Sequence, residues 1–330
     1  MPRHHLVPQM LLRQFADGKS KISMVSRQSP AQKRITTVRT ACAEVGYYAI
    51  STDDVELGHR SGHDPEGVEA ALARIEGDAV PIIEKLNRGE LPVDEESRYR
   101  MSLFMALQFS RVWRFREDVN DMGTAIAREH LAVLLTDDVV AERLRQQGKA
   151  VNPAAVEAYR LEIIGGGWRV ELSQPHLVQQ ALRFAVEFTL PELLRRRWRI
   201  LRFCTPLVLS DSPVALWSPR FTNGDAGMPP GVATARMILL PIGRYAALGA
   251  VRGGQDAVVD ASRLRAQQIN TAVSNNAHRW IFHHPEDDPL SNVEIDPPGV
   301  VTKETQSVRE DDDGLMRVSY TLARRPPAEG

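Results

Sequence analysis

Two polar residues, Gln108 and Arg111, fall on the apolar face of a predicted helix. The segment SLFMALQFSRVWRF follows an acidic helix start at Asp94, and its apolar seam contains Met101, Phe104, Leu107 and Phe115. An amide and a guanidinium in such a seam need partners when the helix packs, because an unpaired charge in the interior is very costly. A guanidinium held in this way could stabilise the anionic charge of a transition state.

An acidic residue, Glu76, lies on the helix predicted to precede this one. Apolar residues recur from Glu66 onward at helical spacing, namely Val68, Leu72, Ile75, Ala79, Ile82 and Leu86. Glu69 and Glu76 are seven residues apart, which places both carboxylates on one side of the helix, at the edge of the apolar face. Pro81 removes a backbone hydrogen bond, and we therefore expect the helix to bend just after Glu76.

The first segment, MPRHHLVPQMLLRQFA, carries a histidine that could transfer protons. Pro8 restricts Val7 to extended conformations, so we expect His5 to be presented from an ordered strand or turn. Pro8 and Gln9 interrupt a short apolar run after the basic start, and this pattern is not typical of a secretory signal. A cytoplasmic location is therefore expected.

Positive charge is concentrated in two parts of a chain whose formal net charge is −1. Residues 1–41 contain eight Lys or Arg and one acid, Asp17, and five arginines lie among the eight residues from Arg195 to Arg202. Clustered cations can steer a polyanion such as a nucleic acid to one face of a protein. They are equally typical of a solvated surface whose charge is offset by acids elsewhere.

The composition is typical of a globular protein that does not span a membrane. Of its 330 residues, 43% are hydrophobic and 25% are charged, and no apolar run reaches the roughly 18 to 20 residues of a membrane span. Cys42 and Cys204 lie far apart with no CxxC spacing, so we expect two reduced cysteines in packing roles. The oligomeric state is left open.

The element pattern predicts an α+β fold, with a helical middle packed on antiparallel β-hairpins from the N-terminal and C-terminal parts. Strand-like segments suggest a hairpin of KISMVSR at the ADGKS turn, a hairpin of WRILRF with LVLSD, and an apolar pair of ARMILLP with RYAALGAV. RITTVRTACAEVGYYAI is a second β-prone stretch, expected in the same small sheet as KISMVSR. Residues 120–190 are predicted to be largely helical. We expect one large domain over residues 1–300, followed over residues 301–330 by an edge strand at MRVSYTLA and a disordered tail.

Several motifs occur in the order seen in a bacterial protein family. They are HHLVPQMLLRQFA, VEAALARIE, SLFMALQFSRVW, LVLSDSPV, LLPIG and INTAVSNNAHRWIF. Over roughly Arg3 to His284 the chain resembles the family called domain of unknown function 4238. The resemblance implies one α+β unit and no established activity. It maps the family's polar positions onto His5, Pro8, Glu76, Gln108, Arg111, Ser210, Asp211, Pro213 and, more weakly, Asn270.

Our functional hypothesis is that His5, Glu76, Gln108, Arg111 and Asp211 converge in one catalytic pocket. Such a set suits hydrolysis of a phosphoester, with the carboxylates or the histidine moving protons or binding a divalent metal ion. Asp211 follows an apolar strand and precedes a turn, a common position for a catalytic acid. The candidates for contacts with the rest of a nucleic acid substrate are Arg195, Arg197, Arg199 and Asn270.

Each candidate also has a structural interpretation. Glu76 and Arg111 could form one buried ion pair that Gln108 completes, and Asp211 could form an Asx turn. The same residues would then belong to a non-enzymatic binding or regulatory module. A third hypothesis is a toxin or defence effector whose hydrolase activity is triggered.

Overall fold

The computed structural model describes residues 3–45, 47, 65–91, 93–218, 230–297, 300–310 and 316–325. Their helices and sheets confirm the predicted α+β fold. The chain divides into two compact units, of which the first consists of Met1–Arg116, Ser173–Val300 and Arg324–Gly330. The second consists of Glu117–Leu172 and Val301–Ala323. The expected single domain over residues 1–300 and the disordered tail stay predictions.

The strands are numbered in chain order. They are β1 (Arg3–His5), β2 (Lys21–Ser26), β3 (Lys33–Thr37), β4 (Ala43–Val45), β5 (Arg197–Arg202), β6 (Leu209–Ser210), β7 (Ala215–Trp217), β8 (Met237–Gly243), β9 (Ala246–Val251), β10 (Ala257–Asp260), β11 (Trp280–His283), β12 (Val300–Glu310) and β13 (Met316–Arg325). The last of these contains the strand predicted at MRVSYTLA. β1 pairs with β4, and β12 pairs with β13, in two-stranded sheets.

Two larger sheets belong to the first unit. The five-stranded sheet has the order β10-β5-β9-β8-β7; β10 and β5 are parallel, and its other neighbours are antiparallel. The four-stranded sheet has the order β3-β2-β11-β6 and is antiparallel throughout. The predicted pairing of β8 with β9 is confirmed, and β2 and β3 lie in one sheet as expected. The hairpin predicted at the ADGKS turn is wrong, because a helix, Gln9–Arg13, and not a strand, precedes that turn. The predicted hairpin of WRILRF with LVLSD is wrong. β5 lies between β9 and β10, so neither of its edges is available, and β6 pairs with β11 instead.

The helices are α1 (Gln9–Arg13), α2 (Pro65–Asn87), α3 (Glu95–Ser110), α4 (Trp113–Leu134), α5 (Asp137–Gln146), α6 (Pro153–Gly165), α7 (Gln174–Phe184), α8 (Leu190–Leu194) and α9 (Arg263–Asn276). A π-helical segment, Ala185–Thr189, joins α7 to α8. Asp94 begins α3 as predicted, because its carboxylate accepts a hydrogen bond from the backbone N–H of Ser97 at 2.8 Å. Helices α4 to α8 and the π-helical segment confirm that residues 120–190 are largely helical.

The core of the first unit packs helices against the five-stranded sheet. α2 packs on α3 and on β8, and α3 also packs on α7 and α8. Large fully buried side chains fill this core, among them Ile83, Leu86, Phe104, Met105 and Trp198. In the second unit α5 and α6 enclose a small core of Val140, Leu144 and Val156. The apolar faces of α2 and α3 pack against this core, and these two helices therefore place Glu76 and Gln108 beside it.

Two sequence-based expectations concern thiols and membranes. Cys42 is buried as expected, whereas Cys204 is exposed, so its predicted packing role is wrong. The two cysteines do not form a disulfide. Within the described ranges, every helix is too short or too polar to cross a bilayer.

Candidate functional site

Arg111 forms a compact polar cluster with two of its predicted partners, and we call Glu76, Gln108 and Arg111 the Arg111 cluster. Nη2 of Arg111 lies 2.6 Å from Oε1 of Glu76. When the Gln108 amide oxygen faces the guanidinium, it accepts hydrogen bonds from Nη2 and Nε at 3.0 and 3.2 Å. The Arg111 side chain is 5% exposed and that of Glu76 is 25% exposed. The guanidinium is thus buried, and the carboxylate reaches it from the edge of solvent.

Arg111 occupies the point where one helix ends and the next has not begun. α3 ends at Ser110, Arg111 has φ −86° and ψ 6°, and α4 begins at Trp113. Phe115 therefore belongs to α4, and its predicted place in the α3 seam is wrong because the helix breaks at Arg111. The Oη of Tyr47 donates a hydrogen bond to the Arg111 carbonyl at 2.8 Å. This contact fixes the backbone from which the guanidinium extends.

A second buried guanidinium, that of Arg116, lies beside this cluster and was not predicted. Its central carbon lies 3.5 Å from the centroid of the Tyr47 ring and 5.5 Å from that of Trp113. It donates hydrogen bonds to Oε1 of Gln174 at 2.9 Å and to the Tyr47 carbonyl at 3.1 Å. Arg116 is five residues after Arg111, and only the break between α3 and α4 brings both onto one side. The sequence feature that could have indicated Arg116 is a second arginine near the apolar face of the predicted helix.

Arg111 and Arg116 both line one cleft of the first unit. Apolar side chains complete its walls, including Val68 and Leu72 of α2, Leu107 of α3 and Val178 of α7. The cavity volume is about 10 Å³, which is room for one water molecule. Glu76 neutralises one of the two guanidinium charges. The remaining positive charge beside apolar side chains favours an anionic ligand, because attraction between charges strengthens as the local dielectric falls.

The side chain of His5 lies outside the described residues, so its convergence with the Arg111 cluster stays a prediction. Its backbone belongs to β1, where His5 pairs with Ala43 of β4, in agreement with the expected ordered first segment. Among side chains that the structure describes, no three His, Cys, Asp or Glu residues group as a metal site. The divalent metal ion also stays a prediction.

Asp211 has a separate set of partners at the end of β6. Its Oδ1 accepts a hydrogen bond from the backbone N–H of His278 at 2.7 Å, and its Oδ2 accepts two, from Arg279 at 2.7 Å and Trp280 at 3.0 Å. The residue is 3% exposed. Its carboxylate therefore holds the turn between α9 and β11. The role is structural, but the carboxylate is taken up by this distant turn and not by the Asx turn that the sequence suggested.

The pH dependence of stability tests this buried carboxyl. Burial raises the pKa of Asp211 to about 6 from its ordinary value of 3.8, against the opposing effects of three backbone N–H groups and of Arg27. Between these two pH values the folded protein binds more protons than the unfolded chain. The stability that the Asp211 carboxyl contributes is therefore full below about pH 4, and about 3 kcal/mol of it is lost above about pH 6. We expect the free energy of unfolding, measured relative to Asp211→Asn, to be about 1 kcal/mol larger at pH 5 than at pH 7.5. An unchanged difference between the two proteins would contradict the raised pKa.

Asn270 of α9 is engaged with the backbone. Its Oδ1 accepts a hydrogen bond from the N–H of Val208 at 3.0 Å, and its Nδ2 donates to the carbonyls of Pro206 at 3.1 Å and Pro289 at 3.4 Å. The residue is 1% exposed. The amide therefore fixes the segment before β6, and its predicted contact with substrate is not supported by this geometry.

The arginines at the start of β5 are accessible but are not part of the cleft. Arg195 is 73% exposed and pairs with Glu192 at 3.1 Å, Arg197 is exposed, and Arg199 is partly buried. Arg98 of α3 reaches this region, donating to the Arg196 carbonyl at 3.4 Å. Arg98 and Arg111 are separated by about 20 Å along the helix, at 1.5 Å per residue.

Comparison with known proteins gives a family. A family model described as "Protein of unknown function (DUF4238)" matches residues 3–287. The chain belongs to this family. No curated protein and no solved structure matches it. The region shared with DUF4238 includes the Arg111 cluster, Arg116, Asp211 and Asn270, and it ends before β12 and β13.

Proposed function

We propose that this protein is a phosphoester hydrolase that binds a phosphoryl group at Arg111 and Arg116. One observation carries this proposal: two buried guanidinium groups line a single cleft, and a partly exposed carboxylate lies 2.6 Å from one of them. Glu76 is the general base in this scheme. The proposal covers the DUF4238 region of the chain.

The chemistry of the side chains supports this assignment. A guanidinium presents several N–H donors in a planar fork that matches the oxygens of a phosphate group, and it keeps its charge at every physiological pH. Gln108 holds the Arg111 fork in place through its amide oxygen. Donors fixed before the reaction stabilise the charge that develops on the phosphoryl oxygens without reorganising.

The proposed step is a displacement at phosphorus. A water oxygen forms a bond to phosphorus while the bond to the leaving oxygen breaks. The water proton passes to Glu76, and the leaving oxygen takes a proton from a general acid, for which His5 is the sequence-based candidate. Arg111 and Arg116 stabilise the charge on the other phosphoryl oxygens.

A substrate with several phosphates suits the distribution of positive charge. Arg195, Arg197 and Arg199, which lie outside the cleft, would bind further phosphates of a single-stranded oligonucleotide. Action in the cytoplasm is part of the proposal, and two cysteines that are not joined in a disulfide fit a reducing compartment.

Hydrolysis by variants of one helix tests the proposed function. We expect the purified protein to release nitrophenol from bis(p-nitrophenyl) phosphate or to cleave a fluorescent single-stranded oligonucleotide. Glu76→Gln should lower that rate about 100-fold or more, because loss of a general base costs this much. Glu69→Gln, on the same side of α2, is the matched control and should keep the full rate. EDTA distinguishes a metal-dependent reaction from one that the arginines support alone.

The same assays identify the second candidate, a non-enzymatic binding or regulatory module. The small cleft and the fully engaged Asp211 and Asn270 favour this alternative. A wild-type protein that hydrolyses neither substrate, with and without added Mg²⁺ or Mn²⁺, would refute the hydrolase. The toxin or defence role stays a prediction from the sequence.

A further inference from the structure

We infer that Glu76 occupies the anion site of the resting protein and that a phosphoryl group must displace it from Arg111. This inference rests on the proposed function, and it adds how the site is regulated. The ion pair that now joins Glu76 to Arg111 is then a closed state, and the incoming anion itself frees the carboxylate to act as a base.

The two partners of this ion pair are held very differently. Arg111 is 5% exposed, Gln108 accepts two hydrogen bonds from its guanidinium, and Tyr47 holds its carbonyl. Glu76 projects from α2, and its side chain is 25% exposed. A rotation about its side-chain bonds moves the carboxylate into solvent, whereas the guanidinium stays in place. Glu76 is therefore the partner that yields.

An anion that binds to Arg111 needs the Nη2 donor that Glu76 now takes. The cleft beside Arg111, with a volume of about 10 Å³, is too small for a tetrahedral anion, and Glu76 is not one of the residues that line it. Two negative groups would also repel each other if both stayed against Arg111. An arriving phosphoryl group takes over the Nη2 donor, and the displaced carboxylate lies next to the water that will attack.

Competition of this kind lowers the apparent affinity for an anion. When the binding-competent state is only a fraction of the population, the measured dissociation constant rises by the inverse of that fraction. A pair closed for about nine-tenths of the time weakens binding about 10-fold. Removing the carboxylate should therefore strengthen binding while it abolishes hydrolysis.

Calorimetric titration of the full-length protein with inorganic phosphate tests the inference. We expect Glu76→Gln and Glu76→Ala to bind phosphate about 10-fold more tightly than the wild type. Glu69→Gln removes a neighbouring charge from the same helix and should leave the affinity within about 2-fold of wild type, since a solvent-screened charge has little effect. Arg111→Met should bind no phosphate in the Glu76→Gln background. Circular dichroism and the melting temperature confirm that each variant is folded.

The outcomes separate this inference from the proposed function. Unchanged or weaker binding by both Glu76 variants overturns the inference, and so does an equal gain in Glu69→Gln, which would indicate general electrostatics. If hydrolysis depends on Glu76 but the Glu76 variants do not bind phosphate more tightly, the proposed hydrolase is supported and the competition between Glu76 and phosphate is refuted. If the Glu76 variants bind phosphate more tightly but the wild type hydrolyses nothing, the competition is supported and the protein is a binding protein, not a hydrolase.

Discussion

Replacement of Asp211 by alanine is expected to lower the free energy of unfolding by about 3 kcal/mol. The carboxylate accepts hydrogen bonds from the backbone N–H groups of His278, Arg279 and Trp280. Each donor left without a partner costs about 1–3 kcal/mol, and the lower end applies here because water can reach the exposed Arg279. Urea denaturation at pH 5, where the buried carboxyl with its pKa of about 6 is mostly protonated and the cost of burying its charge is largely absent, measures the change by circular dichroism.

Two further variants show whether this effect belongs to the turn between α9 and β11. Asp211→Asn keeps one acceptor oxygen and should recover part of the lost stability. Asp260→Ala removes a carboxylate that is 93% exposed, and its effect should stay within about 0.5 kcal/mol. If Asp211→Ala were as mild as Asp260→Ala, the structural role of Asp211 would be refuted.

Removal of the buried guanidinium in Arg111→Met is expected to cost about 2–3 kcal/mol of folding free energy. Methionine keeps much of the apolar part of the Arg111 side chain, so the loss of folding free energy measures the effect of the charge and its partners. Gln108 loses the donors to its amide oxygen, and Glu76 loses its ion pair. The estimate lies below that for a fully buried pair because Glu76 is partly solvated.

A double-mutant cycle isolates the ion pair from other effects. We expect a coupling energy of about 1–2 kcal/mol between Glu76→Gln and Arg111→Met. The matched control is the pair of Arg100 and Asp78, which joins the same two helices at 3.3 Å with side chains 44% and 41% exposed. An exposed pair is worth less, about 0.5 kcal/mol or below. Equal coupling in both cycles would show that burial does not strengthen the Arg111 pair.

The local elements could be predicted from the sequence because their signals are local. Asp94 at the start of α3 and the strand-like segment KISMVSR of β2 are signals that act within a few residues. The partner of β6 could not be predicted in this way. β6 consists of two residues, and whether it pairs with β5 or with β11 depends on which edges are already taken. That is a property of the assembled sheets.

The candidate site shows the same division. Gln108 and Arg111 were visible as polar residues in an apolar seam, and Glu76 as an acid at its edge. Arg116 was not predicted, because the helix break that brings it beside Arg111 has no proline or glycine to mark it. The sequence also suggested that Asp211 joins this set, whereas three backbone N–H groups take up its carboxylate at another place in the fold.

Tyr47 has a consequence for how the cleft meets a ligand. Its hydroxyl holds the backbone of Arg111, while its ring and its carbonyl hold Arg116. The spacing of the two cations is therefore set by one aromatic side chain before any anion arrives. Such preorganisation means that the folding energy of the protein, rather than the binding energy of the ligand, keeps two like charges together.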